Sequence, residues 1–593
     1  MTISALLADY RRGARKPTEV IKTVAGKGDP AYSGAWICRV DAATLERRAA
    51  QLEEQVRADP SAFDRLPLYG IPYAVKDNID VAGLPTTAAC PAFSYVPERS
   101  ATVVERLDSA GAIVLGKTNL DQFATGLVGT RSPYGAVPNT FRSEYISGGS
   151  SSGSAVAVAL GAASFALGTD TAGSGRVPAG LNNIVGLKPS RGLISARGVV
   201  PACQSLDCVS VFALTVPDAL AVLEVARGYD AGDPWSRELD LSSPVCGERF
   251  TFALPDPLEF HGDRHAMHAF NDAIDKLEGL GGKPMKTDFS VFLEVAALLY
   301  EGPWVAERLA AIRPFFERHP EEVHPVVRKI IEGAASYSAA DLFAGLTRLE
   351  ALRKRAARIW DVADVLAVPT APTAYTIEDV LAEPFVNNRR LGHYTNFVNL
   401  LDLAACAVPA SIRPDGLPCG ITLIAPKGTD RMLADLAQRF HQLTKLKLGA
   451  LDEPLPPPEP IALPQDSVRV VVVGAHLSGL PLNHQLVELG ARLERAARTA
   501  PRYRLFALPG TTPPKPGLVR NGDCAIEVEV WRMPISGFGP FVAAIPAPLG
   551  IGRIELENGD WVQGFLCEAS AVAGAADISR FGGWRAYLAS LRS

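Results

Sequence analysis

The segment from Ser147 to Pro178, SGGSSSGSAVAVALGAASFALGTDTAGSGRVP, constrains this chain more than any other. Two serine-glycine loops, GGSSSGS and DTAGSG, are set around a helix built from small residues. Glycine lets a backbone approach a ligand closely, and a serine hydroxyl becomes a nucleophile when a base takes its proton. The first histidine of the chain is His261, so no imidazole accompanies these serines in sequence. A Ser-His-Asp triad is defined by geometry and could still recruit a distant histidine. A lysine base fits the local sequence better, and Lys76 stands ahead of both loops in GIPYAVKDNIDVAG.

Composition narrows the class. Hydrophobic residues at 47% and charged residues at 21% describe an ordinary globular protein with a large core. The net charge of -5, without a basic run, argues against nucleic-acid partners. The longest apolar stretch, Ala155 to Leu167, is shorter than the roughly 20 residues of a membrane span. The N-terminus MTISALLADYRRGARKP has no apolar signal core, so a cytoplasmic enzyme is expected, without a membrane partner. Nine cysteines without a CxxC pair form neither a disulfide framework nor a zinc site. His261, His265 and His268 have spacing for a metal on one helix face, but GDRHAMHAFND is polar and offers no clear fourth ligand. It reads as a solvated helix, and neither metal nor cofactor is expected.

Hydrophobic periodicity gives the organisation. Residues 1–65 read as helical. From Pro67, strand-like runs (YGIPYAVKD, GAIVLGKTN, FALGTD) alternate with helix-like ones (ATVVERLDSA, SAVAVALGAA), the pattern of an α/β architecture around a mixed sheet. Residues 260–360 read as mostly helical with a break at Gly302-Pro303, and strands return in VADVLAVPTAPT and ACAVPASIRPDGLPCGITLIAP. A first domain is expected over 1–446, a proline-rich extended linker over 447–467, and a smaller C-terminal α/β or α+β domain over 468–593.

Three motifs carry a resemblance: Gly70-Ile71-Pro72-Tyr73-Ala74-Val75-Lys76-Asp77, Gly148-Gly149-Ser150-Ser151-Ser152-Gly153-Ser154 and Asp170-Thr171-Ala172-Gly173-Ser174. In this order they resemble the amidase signature family, over roughly residues 20 to 440. The resemblance implies Ser174 as nucleophile, Ser150 as a bridging serine after a cis Gly149-Ser150 bond, and Lys76 as base. Backbone amides from Thr171 to Ser174 are expected to hold the oxyanion, since an amide substrate needs one held. For Lys76 to accept a proton its pKa must fall about 3 units from ~10.4, and apolar neighbours such as Ile71 and Val75 suit that desolvation. Asp170 is expected to orient the loop; Arg176 either does the same or faces a substrate carboxylate. A competing pattern, Gly149-Ser150-Ser151-Ser152-Gly153, matches the GxSxG nucleophile elbow and would make Ser151 the nucleophile, leaving Lys76 and DTAGSG unexplained.

Where a typical member has DTGGSIRIPA, this chain has DTAGSGRVPA, and its helical region contains LLYEGPWVAERL. Both resemble the allophanate-hydrolysing branch of the family, as does an added C-terminal domain. The expected substrate is therefore allophanate, an N-carboxylated urea, with Tyr300 and Arg308 binding its carboxylate; arginine holds a carboxylate with two parallel charged hydrogen bonds. Without the motif, Arg308 reads as a surface arginine paired with Glu301 or Glu307. A homodimer is expected. The glutaminase-type subunit of a tRNA-dependent amidotransferase shares the signature but should lack the second domain. In that domain VVVVGAHLSGLPLNHQL resembles the strand-to-loop opening of the γ-glutamyl cyclotransferase-like fold. His476 at the strand end and His484 at the next helix are its candidate binding or proton-donating groups. The domain either acts on the product of the first or serves assembly alone.

Overall fold

The three strand-like runs around the motifs become neighbouring strands of one sheet in the computed structural model, which describes residues 1–26, 30–239, 241, 246–458, 461 and 467–591. The strands of this sheet are β1 (Trp36–Arg39), β2 (Pro72–Lys76), β3 (Ile113–Thr118), β4 (Phe165–Asp170), β5 (Val185–Lys188), β6 (Cys208–Ala213), β7 (Phe250–Asp256), β8 (Gly282–Asp288), β9 (Val365–Pro369), β10 (Leu403–Ile412) and β11 (Pro418–Pro426). Their order is β1-β3-β2-β4-β6-β5-β10-β11-β9-β7-β8. The sheet is mixed: β2 runs parallel to β3 and β4, while β6, β5, β10 and β11 pair antiparallel in succession. β2 and β4 are buried at every position, which suits the near-continuous apolar runs of a sheet covered on both faces.

Among its described residues the 1–65 segment holds helices joined by short turns, and one strand, β1. Its residues WICR lie ahead of Asp41, whose side chain caps the helix Ala42–Ala58, and they pair with the edge of β3. Four residues between a turn and a cap are too short a run for helical periodicity to describe. The region 260–360 likewise holds β8, an edge strand, among its helices.

The small-residue run forms α1 (Ser152–Ala159), buried along its whole length. Its composition follows from how closely other backbone passes. A Cβ on Gly153 would sit 2.1 Å from the Ala35 carbonyl oxygen and 2.7 Å from the Asn119 amide nitrogen. The following loop and β4 lead into DTAGSG and α2 (Val177–Leu181), which begins with proline in its first turn. Further on, α3 (Ser290–Tyr300) and α4 (Val305–Phe316) are separated at Gly302-Pro303, where the sequence places a break.

By contact density the chain forms two units, Met1–Leu239 with Thr251–Pro460, and Asp240–Phe250 with Ile461–Ser593. Within the first, residues beyond 446 remain bonded: the Ala450 amide donates to the Ala159 carbonyl at 2.9 Å, and Gln442 donates to the Pro456 carbonyl at 2.9 Å. Residues 459, 460 and 462–466 of the expected linker lie outside the described residues.

The second unit consists mostly of strands with short helices. One sheet has the order β13 (Arg492–Arg498), β16 (Glu527–Pro534), β12 (Ser467–Val472), β18 (Trp561–Cys567), β17 (Leu549–Glu555). A second has the order β15 (Pro516–Cys524), β14 (Tyr503–Ala507), β19 (Ala576–Asp577). The VRVVV run is the central strand β12, and its chain leaves the sheet through His476 toward α5 (Asn483–Glu488). No helix among the described residues is long and apolar enough to cross a membrane.

Candidate active site

Lys76 ends β2, and the strand pairing sets its ammonium beside the start of α1 and the end of β4. Its Nζ lies 2.8 Å from Ser150 Oγ and 2.7 Å from Thr169 Oγ1, with all three residues buried. Burial is the dominant influence and lowers its pKa from 10.5 to about 7; Asp121, Asp207 and Asp170 oppose the shift without cancelling it. An amine bonded to two hydroxyls, with the nearby carboxylates engaged elsewhere, can lose its charge without leaving an anion unpaired.

The loop presenting Ser150 is held from both sides. The Gly149-Ser150 bond is cis. The Ser150 carbonyl accepts the Asp121 amide at 3.1 Å, while the Asp121 carboxylate accepts the amides of Val128, Gly129 and Arg131 at 3.1, 3.0 and 3.0 Å. A Cβ at position 149 would lie 2.2 Å from Asp121 Oδ2, so only glycine permits this approach. Ser151 points elsewhere: its hydroxyl donates to the Thr169 carbonyl at 3.2 Å and accepts the Thr169 amide at 3.3 Å. That reciprocal pair fastens α1 to β4 and gives Ser151 no base.

The DTAGSG loop is organised by a buried ion pair. Asp170 accepts Arg176 Nε and Nη2, both at 2.9 Å, and the amides of Gly173 and Gly175 at 2.9 and 3.0 Å. Burial alone would raise the Asp170 pKa, but Arg176 outweighs it and holds the carboxyl below its usual value. Two of the Arg176 nitrogens are thereby committed to ordering the loop. The same pair corrects one expectation. The Gly173 amide, one of the oxyanion donors expected over Thr171–Ser174, is instead taken up by Asp170. Carboxylate capture of a nearby loop amide is a local feature that the motif alone does not reveal. The Thr171 hydroxyl donates to Asp207, whose pKa burial raises to about 6.

Ser174 Oγ donates to the Gly126 carbonyl at 3.3 Å. The preceding residue, Thr125, accepts Arg308 Nη1 on its hydroxyl at 3.0 Å, and Arg308 Nη2 donates to Tyr300 OH at 3.3 Å. Two adjacent residues, 125 and 126, thus connect the expected nucleophile to the expected carboxylate reader. Arg308 is not the surface residue that its helix suggests, being 2% exposed. Glu307 is engaged with Ser205 and Glu301 with Arg389, so neither pairs with it. Tyr300 borders a cavity of about 660 Å³ whose wall includes Arg131, Asn388, His393 and Asn396. The sequence does not single out Arg131, because nothing in GTRSPYG distinguishes a buried arginine from a surface one.

The histidines expected to share a helix separate. His265 and His268 are exposed on the helix Arg264–Gly279, whereas His261 precedes it at φ 50° against the ring of His393. Among the described residues no group of three or more histidine, cysteine or acidic side chains is arranged to hold a metal. In the second unit His476 lines a cavity of about 250 Å³, stacked on Phe565 and bonded through Nε2 to Gln485 Oε1 at 3.0 Å. Burial lowers its pKa from the usual value. His484 is exposed on α5, with Nδ1 2.9 Å from the Pro481 carbonyl oxygen.

Lys76 is thus bonded to Ser150, and Ser174 is buried in the loop that follows β4 with its hydroxyl on the Gly126 carbonyl. The amidase family model matches residues 20–434, and the allophanate hydrolase C-terminal domain model matches 468–589. The chain belongs to the amidase family. It is 48% identical to the urea amidolyase of Saccharomyces cerevisiae over 552 residues, covering 89% of this chain and 30% of that protein. It is 46% identical to that of Lachancea kluyveri, covering 94% and 31%. The chain therefore spans about a third of the length of these relatives. The solved structure of Kluyveromyces lactis allophanate hydrolase is 43% identical with a TM-score of 0.81, covering 100% of this chain and 99% of that one. The glutamyl-tRNA(Gln) amidotransferase of Symbiobacterium thermophilum has a chain 34% identical to this one, covering 70% of this chain and 90% of that one.

The lowered pKa of Lys76 has a kinetic consequence. A base must be neutral to act, so kcat/KM should climb about tenfold per pH unit below 7 and level off above it. Lys76→Arg, which stays charged, should lose activity by orders of magnitude and show no such limb in its residual rate. A wild-type plateau already reached at pH 5.5 would contradict the assignment.

Proposed function

We propose that this protein is an allophanate hydrolase, cleaving the amide of urea-1-carboxylate through an acyl-enzyme on Ser174. The observation that carries the reading is Arg308: a buried guanidinium bonded to hydroxyls and not to a carboxylate, one residue removed from the carbonyl that holds the Ser174 hydroxyl. A charge taken out of water without a partner is costly, and a bound anion offsets that cost. Allophanate supplies the carboxylate one N–H away from the scissile carbonyl. The likeness to an allophanate hydrolase over the whole chain, second unit included, supports the same substrate. The amidotransferase reading fits less well, since such a relative leaves 30% of this chain unmatched.

In this mechanism neutral Lys76 draws the proton of Ser150, which draws that of Ser174. The Ser174 oxygen attacks the terminal amide carbon, and the oxyanion is held by the amides of Thr171, Ala172 and Ser174. The proton returns along the same path to the leaving ammonia. Water then cleaves the acyl-enzyme, giving N-carboxycarbamate and a proton. Loss of carbon dioxide from that dianion, with uptake of a proton, leaves carbamate, which takes up a second proton and yields the second ammonia and carbon dioxide. The reaction would complete the degradation of urea-derived nitrogen in the cytoplasm. We assign it to an amidase domain over 1–446, linked through 447–467 to a domain over 468–593, in a homodimer.

The second domain is assigned the decarboxylation. His476 is the favoured group, because it lines a cavity with Lys515 while His484 is on the surface. An imidazole there can give the proton that replaces the departing carboxylate. The competing reading is assembly alone.

Three measurements follow. Ser174→Ala should abolish ammonia release from allophanate, whereas Ser151→Ala should keep the chemistry and lose stability; the reverse would move the nucleophile to the GxSxG pattern. Arg308→Ala should lose at least a hundredfold in kcat/KM on allophanate but much less on a neutral amide, since removing a partner from a desolvated anion costs about 2–5 kcal/mol. Equal losses would reduce Arg308 to a structural role. For the second domain, carbon dioxide release timed against ammonia release should lag in His476→Ala and match wild type in His484→Ala. Identical timing in all three proteins would leave the domain an assembly role.

A further inference from the structure

Arg131 sits in the wall of the cavity beside Tyr300 and is among the largest fully buried side chains of the protein, at 1% exposure. It shares an anchor with Arg308. Arg131 Nη1 donates to the Thr125 carbonyl at 2.9 Å, while Arg308 Nη1 donates to the Thr125 hydroxyl at 3.0 Å. The other end of Arg131 is fixed by Nη2 donating to the Pro384 carbonyl at 2.8 Å. In both arginines Nε is buried without a hydrogen-bond partner among the described residues.

The nearby acids are already occupied. Asp121 binds three backbone amides through its carboxylate, and Asp207 binds Thr171, Ala202 and Cys203. Two guanidiniums are therefore held close together and out of water. Among the described residues their partners are carbonyl, hydroxyl and ring, with no carboxylate bonded to either. Like charges in a desolvated site repel each other, and burial works against each separately. A purely structural tie from Thr125 to Pro384 needs donors, not a second charge beside the first. The cavity wall also carries Asn396, whose Oδ1 is buried without a partner among the described residues and can accept an N–H.

We propose that Arg131 is a second carboxylate-reading residue, forming with Arg308 a two-cation clamp on the distal carboxylate of the acyl group. This rests on the allophanate reading above and deepens it. One arginine suffices for a simple bidentate contact. Two make the site strongly selective for an anion over the uncharged amides that a family member could otherwise accept. Arg131 is a specificity determinant: it weighs on substrate binding more than on the turnover of bound substrate.

The test uses the full-length protein and two competitive probes of nearly equal size, malonate and its neutral diamide, malonamide. Malonate carries the carboxylate that allophanate would present and has no amide to cleave. The ratio of their inhibition constants reads anion preference directly, and allophanate turnover by the wild type is measured alongside. Arg131→Gln should weaken malonate about tenfold or more, leave malonamide nearly unchanged, and raise KM for allophanate more than it lowers kcat. Arg308→Ala leaves Arg131 untouched, so it should keep a several-fold residual preference for malonate, and the double variant should lose it. The second variant keeps the test decisive if Arg131→Gln does not fold. An Arg308→Ala protein that binds both probes equally, or a folded Arg131→Gln protein with an unchanged ratio, overturns the clamp while allophanate turnover stands. Absence of allophanate turnover by the wild type would instead overturn the functional reading on which the clamp rests.

Discussion

The site depends on keeping water away from one amine. Lys76 ends a fully buried strand, and its ammonium nitrogen is bonded to the hydroxyls of Ser150 and Thr169. In water the same amine would be protonated through the neutral range and unable to accept a proton. Three aspartates lie close enough to favour its charge, yet each is diverted. Asp121 is bound to a turn of backbone amides, Asp170 to Arg176, and Asp207 to Thr171 and the amides of Ala202 and Cys203. Had any of them made a salt bridge with Lys76, the charged form would prevail.

The same diversion of polar groups shapes the loops. The Asp170–Arg176 pair orders DTAGSG, and Asp170 takes up the Gly173 amide. Ser151, adjacent in sequence to Ser150, locks α1 onto β4 through the Thr169 backbone, while the Thr169 side chain holds Lys76. Strand pairing between β2 and β4 is what allows a lysine and two serine loops from distant parts of the chain to meet.

Much of this is legible in the sequence because it is written in local patterns. The alternating runs around Pro67–Asp170 specify β2, β3, β4 and α1, and three motifs in order specify the family. Reading Arg308 and Tyr300 needs a motif, since helix periodicity alone puts Arg308 next to Glu307 on a solvated face. Other features are not legible. β1 is four residues long, too short for a period. The capture of Gly173 by Asp170 is a matter of side-chain rotamer. Arg131 owes its burial to Thr125 and Pro384, and the latter lies far away in sequence. Tertiary partners of this kind leave no periodic trace.

The central claim is that Lys76 is neutral at working pH because it is buried, and its titration can be observed directly. Lysine side-chain nitrogen or Cε resonances of the full-length Ser174→Ala protein, assigned by comparison with Lys76→Arg, should show one lysine titrating near pH 7. A Lys76 resonance that titrates near 10.5, with the ordinary lysines, would contradict the account.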